Sequence, residues 1–367
     1  MSMRNYFPRS SAELVRWYER YISPISLVVG FLFDNLVILR RVDLWEGNVL
    51  LFFHLIMSAT GIIVLNMIES QKIRHAWATK IAPYIPIAIQ FSFGSLFSAY
   101  VSLYSRSASL PIGWIFVLIL AALMIGNERF SRLYVRFSVQ MPLYYLVLFS
   151  YLTFFLPVIT HNIGPATFIL SSAISTAIIV AFIVGLVAVT RTPIRERMRA
   201  LYAVGALVVI LNGAYFLNLI PPLPLSIKNA GVYHYVIKNN DGTYKLVGEE
   251  IPWYQQLLPR GITFHKATGE SAYLFSAVFA PSGLTTTILH QWQYYDEAKK
   301  AWTTVNTVSF PINGGRDGGY RGYTLTSNLA EGKWRVNVIT QYGQLIGRVS
   351  FTVVDVNDPV ALSTTVR

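Results

Sequence analysis

The sequence predicts a membrane α-helical bundle of about seven transmembrane helices followed by an all-β, immunoglobulin-like sandwich domain. Three observations predict it: long apolar runs confined to the first 220 residues, basic residues gathered in alternate loops, and short alternating runs separated by turn residues in the last third. Composition agrees. Hydrophobic residues make up 53% and charged residues 13% of the chain, with a mean hydropathy of +0.45; ordinary soluble domains carry roughly 25% charge.

The N-terminal segment, residues 1–21, reads as an amphipathic helix on the cytoplasmic interface. In "SSAELVRWYERYI", Ser10 and Glu13 have capping-box spacing, and Leu14, Trp17, Tyr18, Tyr21 and Ile22 recur at helical intervals, with Arg16 and Arg20 off that stripe. Seven apolar runs follow in residues 22–220, at about 22–40, 49–68, 81–104, 110–126, 142–160, 165–190 and 200–220. Each suits a hydrocarbon layer of about 30 Å. The first run follows a long charged segment and carries Asp34, so no cleavable signal peptide is expected. Pro221, Pro222 and Pro224 end the last run, residues 221–230 read as a Pro-rich linker, and residues 231–367 form the β-sandwich domain.

Charge gives the orientation, because Lys and Arg in short loops favour the cytoplasmic side. The N-terminal segment and the second, fourth and sixth loops together hold 14 basic residues, while the alternate loops hold Arg40, Arg41 and Arg106. The N-terminus is thus expected in the cytoplasm and the C-terminal domain in the periplasm or outside the cell. Residues 1–230 contain 18 basic and 8 acidic residues, net +10; residues 231–367 contain 12 and 10, net +2. Most of the +12 total is therefore a topology signal that attracts anionic membrane lipids, and nucleic acid is not an expected partner. With no cysteine, disulfides, thiolate metal sites and thiol nucleophiles are excluded.

Ionisable groups inside a bilayer invite a functional question. Asp34 and His54 fall at similar depth in the first two spans, near the outer loop that holds Arg40 and Arg41. A carboxylate paired with an imidazole there suits proton handling; the alternative is that Asp34 pairs with Arg40 or Arg41 and fixes the loop. Asn66, Gln90, Asn212 and Asn218 read as interhelical hydrogen-bonding residues. Transport folds usually show helices broken near the midplane or halves that echo one another, and neither is evident. No HExxH, GxSxG or aspartate-rich metal motif appears, so the chain is not expected to be an enzyme or to bind a cofactor.

From residue 231, nine runs read as strands: "GVYHYVI", "TYKLV", "ITFHK", "SAYLFSAVFA", "TTTILHQWQYY", "AWTTVNTVSF", "RGYTLTS", "KWRVNVIT" and "LIGRVSFTVV". His234, His265 and His290 are far apart and lack acidic companions at ligand spacing, so no metal site is expected. The stretch "PINGGRDGGYRGYT", residues 311–324, looks at first like a phosphate loop. Gly314 and Gly319 have Walker spacing, but Tyr320 stands where the lysine must be and no helix follows. It reads instead as a double turn between strands. Arg316 and Arg321 then supply guanidinium forks, Tyr320, Tyr323 and Trp302 flat aromatic faces, and Asp317 a neighbouring charge. In the alternative, Arg316 pairs with Asp317 and the tyrosines belong to the core.

At these residues the chain resembles a bacterial membrane-protein family of unknown function. The pattern H-x-W-x-Y falls on His290, Trp292 and Tyr294; G-G-R-x-x-G-Y-R-G-Y on Gly314 to Tyr323; G-x-W-R-V on Gly332 to Val336; and G-x-x-x-F-x-V on Gly347, Phe351 and Val353. The resemblance extends to "FDNL…RRVD" at Phe33 to Asp43, and it implies the two-part architecture and no particular reaction. The expected function is binding or scaffolding at an envelope glycan, lipid headgroup or protein; the alternative is a transporter or proton-coupled protein using Asp34 and His54.

Overall fold

The computed structural model describes residues 29, 31, 43–107, 111–127, 133–250, 262–327, 329–357 and 360–367. The chain divides near residue 220 into two compact units, each treated by itself. The expected first span, 22–40, lies outside the described residues apart from positions 29 and 31.

The first unit is helical: α1 (Trp45–Glu69), α2 (Ala76–Ile81), α3 (Ile85–Ser107), α4 (Pro111–Asn127), α5 (Phe137–Thr160), α6 (Pro165–Thr190) and α7 (Ile194–Phe216). The remaining six apolar runs coincide with α1 and α3 to α7. Among the described residues, five helical stretches are long and apolar enough to cross a membrane, α2 and α3 forming one with the 3-10 turn at Ala82–Tyr84. Prolines stand at the starts of α4 and α6, where a missing N–H leaves no intrahelical bond unmade.

Within this unit α5 is central. Its aromatic run is buried along most of its length, and it packs against α1, α6 and α7. Polar side chains tie the helices together, as Asn66 Nδ2 donates to Gln140 Oε1 at 2.7 Å and Asn212 Nδ2 to Ser172 Oγ at 2.7 Å. Those two asparagines therefore act as expected. Gln90 differs: its backbone carbonyl accepts from Asn127 Nδ2 at 2.9 Å, while its side-chain amide has no partner among the described residues.

The second unit is built of strands. Its described strands are β1 (Ser226–Tyr233), β2 (Tyr235–Lys238), β3 (Tyr244–Glu249), β4 (Thr263–Lys266), β5 (Ala272–Phe279), β6 (Thr285–Asp296), β7 (Ala301–Asn313), β8 (Tyr320–Thr326), β9 (Gly332–Thr340), β10 (Leu345–Asp355) and β11 (Leu362–Val366). Eight of the nine expected runs each coincide with a strand, and "GVYHYVI" is broken at His234 between β1 and β2, which belong to different sheets. Two further differences stand out: β1 begins at Ser226, within the stretch read as a linker, and β11 follows the last expected run.

These strands form three sheets, ordered β1-β5-β8, β4-β10-β9-β6-β7 and β11-β3-β2. The first two share the main core, where Leu274 and Val278 of β5 meet Trp292, Ile288, Trp334, Val336 and Phe351. The other face of β5 offers Phe275 and Ala277 to Val236, Tyr244 and Leu246 of the third sheet. A two-sheet sandwich thus accounts for two layers, and the third lies against β5. Inside the main core, His290 is fully buried, with Nε2 2.8 Å from Ser276 Oγ and Nδ1 3.0 Å from Thr324 Oγ1. Burial pushes its pKa down to about 3.

A polar clasp joins strands of different sheets. Nδ1 of His234 lies 2.6 Å from Oε1 of Glu270, and its Nε2 3.2 Å from Oε1 of Glu249. Glu249 also accepts from the His265 amide at 2.7 Å, and its Oε2 lies 2.7 Å from His265 Nδ1. His234 and His265 have no acidic companions at ligand spacing in the sequence, but chain folding brings them carboxylates from 15 to 36 positions away. Among the described residues no group of histidines and carboxylates is arranged to hold a metal.

Burial raises the Glu249 carboxyl, but the hydrogen bonds from the His265 amide and from the two rings outweigh it and hold Glu249 below its ordinary value. A carboxyl depressed on folding stabilises the protein above its unfolded pKa, and that stability is lost as pH falls through the folded value. Unfolding followed by the fluorescence of buried Trp292 and Trp334 should therefore show stability falling as the pH drops below about 4.5. Glu249→Gln should flatten this slope and cost about 1–3 kcal/mol at neutral pH; an unchanged slope would remove the clasp from the acid response. In NMR spectra, the His290 ring should not titrate above about pH 4, and a midpoint near 6.5 would contradict its burial.

Candidate functional site

The loop at 314–319 carries the chain from the five-stranded sheet to the three-stranded sheet, because β7 ends at Asn313 and β8 begins at Tyr320. Its glycines serve this crossing. A Cβ on Gly314 would stand 1.7 Å from the Pro281 carbonyl oxygen, and the Gly314 amide donates to Leu284 O at 2.8 Å. Gly319 has φ +80, and a Cβ there would meet the β5 backbone at Val278, 2.9 Å away. Gly314 and Gly319 thus have a structural cause in close backbone approach.

The candidate side chains fall in three places. Arg316 and Asp317 are exposed at the tip, and the Arg316 guanidinium lies 5.5 Å from the centroid of the Tyr320 ring. Tyr320 is half-buried and packs on the main core. Tyr323 is 38% exposed and lies beside the rings of Tyr244 and Tyr273, each 6.2 Å away, while the Arg321 carbonyl accepts from Tyr244 OH at 3.2 Å. Trp302 stands apart. It occupies the other end of the thirteen-residue β7, roughly 35 Å along an extended strand. Arg316 with Tyr320 and Tyr323 with its neighbouring tyrosines are brought together, and Trp302 joins neither set.

Among the intramembrane candidates, Asp34, Arg40 and Arg41 lie outside the described residues. His54 is buried in α1 between the rings of Phe53 and Phe91, at 5.5 and 5.6 Å, and among the described residues its Nδ1 has no hydrogen-bond partner.

Trp302 belongs to a different constellation, on the face of the five-stranded sheet turned away from the core. The alternation of β9 sends Trp334, Val336 and Val338 inward, so Lys333, Arg335 and Asn337 turn outward; Gln291, Gln293 and Tyr295 of β6 and Arg348 of β10 share that face. The Arg335 guanidinium stacks 4.2 Å from the Trp302 ring centroid, and its Nε donates to Gln293 Oε1 at 2.7 Å. Arg348 Nε donates to Asn337 Oδ1 at 2.6 Å. Asn337 Nδ2 in turn donates to Gln291 Oε1 at 3.0 Å and to Gln293 Oε1 at 3.1 Å.

Both arginines are half-buried, and among the described residues neither has a carboxylate within ion-pair distance. Burial, and then the charge of Arg348, lower the Arg335 pKa to about 10. Two like charges are thus held near one another with no counter-charge at ion-pair distance among the described residues. Sequence reasoning passed over Arg335, Arg348, Asn337, Gln291 and Gln293 as functional candidates, although the alternation in β9 and β10 marks the first three as outward.

Comparison with known proteins adds the domain and no activity. A family described as protein of unknown function (DUF2914) matches residues 285–353. This stretch therefore holds a DUF2914 domain, which runs from β6 into β10. No curated protein matches the chain. Among solved structures, the chain is similar at 10% identity to a Pseudomonas fluorescens alkylpurine DNA glycosylase, AlkC, bound to DNA containing an abasic site analog, over 82% of this chain and 97% of that one, with a TM-score of 0.22. A likeness that faint carries no argument.

The corner gives a sharp test. Gly314→Ala and Gly319→Ala should each destabilise the β domain by about 3 kcal/mol, since both overpack against backbone that cannot move aside and the second is also strained. Chemical unfolding would measure this, and near-wild-type stability in either variant would refute the close approach as the reason for that glycine.

Proposed function

We propose that this protein is an integral membrane binding and scaffold protein. Seven spans anchor an immunoglobulin-like sandwich on the periplasmic or extracellular side, where it engages a component of the bacterial envelope. The apolar helices and the basic residues in alternate loops support the anchoring and the orientation.

The observation that carries the binding role is the guanidinium pair, Arg335 and Arg348. Half-buried like charges repel, and holding them on an open sheet face without a carboxylate costs stability. An anionic or acceptor-rich partner removes that cost. The corner loop serves this reading less well, since Gly314 and Gly319 are explained by packing and Tyr320 packs against the core. Arg316 and Tyr323 remain accessible at a second edge of the same domain.

In-cell photocrosslinking tests the proposal. A photoreactive residue at the exposed position Ser350, beside Arg335 on the adjacent strand, should capture an envelope component. The same residue at Lys238, on the third sheet, should not. Equal capture at both positions, or none at position 350, would count against a binding role for this face.

A further inference from the structure

We infer that the open face of the five-stranded sheet binds an acidic polysaccharide, with its carboxylate oxygens taken by the terminal nitrogens of Arg335 and Arg348. This rests on the proposed binding role and names its ligand. The direction of the hydrogen bonds carries the inference. Each amide oxygen on the face is already an acceptor within it: Gln293 Oε1 takes Arg335 Nε and Asn337 Nδ2, Gln291 Oε1 takes Asn337 Nδ2, and Asn337 Oδ1 takes Arg348 Nε. Gln293 Nε2 donates to Thr304 Oγ1 on the same face at 3.0 Å. What remains for a ligand is almost wholly N–H: the terminal nitrogens of both arginines and Nε2 of Gln291, which have no protein acceptor among the described residues. A donor surface selects an acceptor-rich anion, and a guanidinium held through Nε keeps its forked edge for a carboxylate.

Shape and composition select a polymer. The donors lie on β10, β9 and β6, and Trp302 on the neighbouring β7 extends the face. Four strands about 4.8 Å apart extend roughly 14 Å, the width of several sugar units rather than of one ion. Around the two arginines the outward residues are amides and hydroxyls (Gln291, Gln293, Asn337, Thr304, Ser350) rather than the aromatic and aliphatic anchors at the centre of protein interfaces. Trp302 and Tyr295, 5.2 Å apart at one end, carry the cations Arg335 and Lys333 on their rings and supply aromatic edges against which a sugar can lie. Lys333 is paired with Glu297 at 3.1 Å, so the uncompensated charge is that of the two arginines.

The experiment uses the full chain in nanodiscs of neutral lipid. Binding of oligogalacturonate, alginate and hyaluronate is measured by calorimetry, with methyl-esterified oligogalacturonate as the uncharged counterpart and anionic vesicles and neutral dextran as further arms. At least one carboxylate polymer should bind, with affinity falling as salt rises, and the methyl ester should bind at least about tenfold more weakly. Arg335→Gln with Arg348→Gln should weaken binding by a similar factor while leaving the unfolding midpoint unchanged or higher, because the repulsion is gone; Lys238→Gln should leave binding unchanged. Equal binding of acid and ester, or an unaffected double variant, would overturn the inference. Binding confined to dextran or to vesicles, or capture only of a protein in the crosslinking above, would overturn the acidic-polysaccharide assignment while sparing the binding role. No ligand in any arm, together with no crosslink from position 350, would sink both.

Discussion

The β domain depends on one strand with no solvent face. β5 turns Leu274 and Val278 toward the five-stranded sheet and Phe275 and Ala277 toward the third sheet, so both of its surfaces are covered. A strand in that position needs apolar residues almost without alternation, and "AYLFSAVF" supplies them. Its inward polar residue, Ser276, is hydrogen-bonded to His290. The third sheet is too small to make a core alone; Val236, Tyr244 and Leu246 are buried because β5 gives them an apolar surface.

Around that strand the polar groups are divided by what burial permits. His290 is fully enclosed and neutral, with a hydroxyl at each ring nitrogen. His234 is also buried, but both of its ring nitrogens meet carboxylates, so charge can be held there with compensation. The arginines follow neither solution. Arg335 and Arg348 are half-buried, bonded only to neutral amide oxygens, and close enough that the charge of one depresses the pKa of the other. Where the buried histidines of the domain each have hydroxyl or carboxylate partners, this pair has no carboxylate among the described residues, which is why the face reads as a site.

Much of the fold was legible because period and composition are local properties. The apolar runs announced the helices, and the alternation of Trp334, Val336 and Val338 with Arg335 and Asn337 announced which side of β9 is core. β11 escaped because "LSTTV" is short, largely polar and paired through one edge only. The clasp escaped for a different reason. Glu249 and Glu270 reach His234 only through the order of strands and the turn before β5, and sequence spacing does not encode that order. The open face was half legible: its side could be read from alternation, but the meeting of Arg335 with Gln293 and Trp302 requires knowing that β9 pairs with β6 and β6 with β7.

The residues that carry the family resemblance divide along the same line. His290, Trp292, Trp334, Val336, Phe351 and Val353 are buried in the core, and Gly314 and Gly319 are fixed by backbone contacts at the corner. Packing explains them without any ligand. Arg316, Tyr323 and Arg335 are members of that set that face out, and of these Arg335 lies on the surface built by β6, β7, β9 and β10. Gln291, Gln293, Trp302, Asn337 and Arg348 all lie with it inside the matched stretch 285–353, whereas β5 and the third sheet lie outside it. The face and the strands that set its register therefore belong to one continuous segment. Its register is set by the mutual pairing of β6, β7, β9 and β10, and the preceding strands contribute the apolar surface that buries its other side.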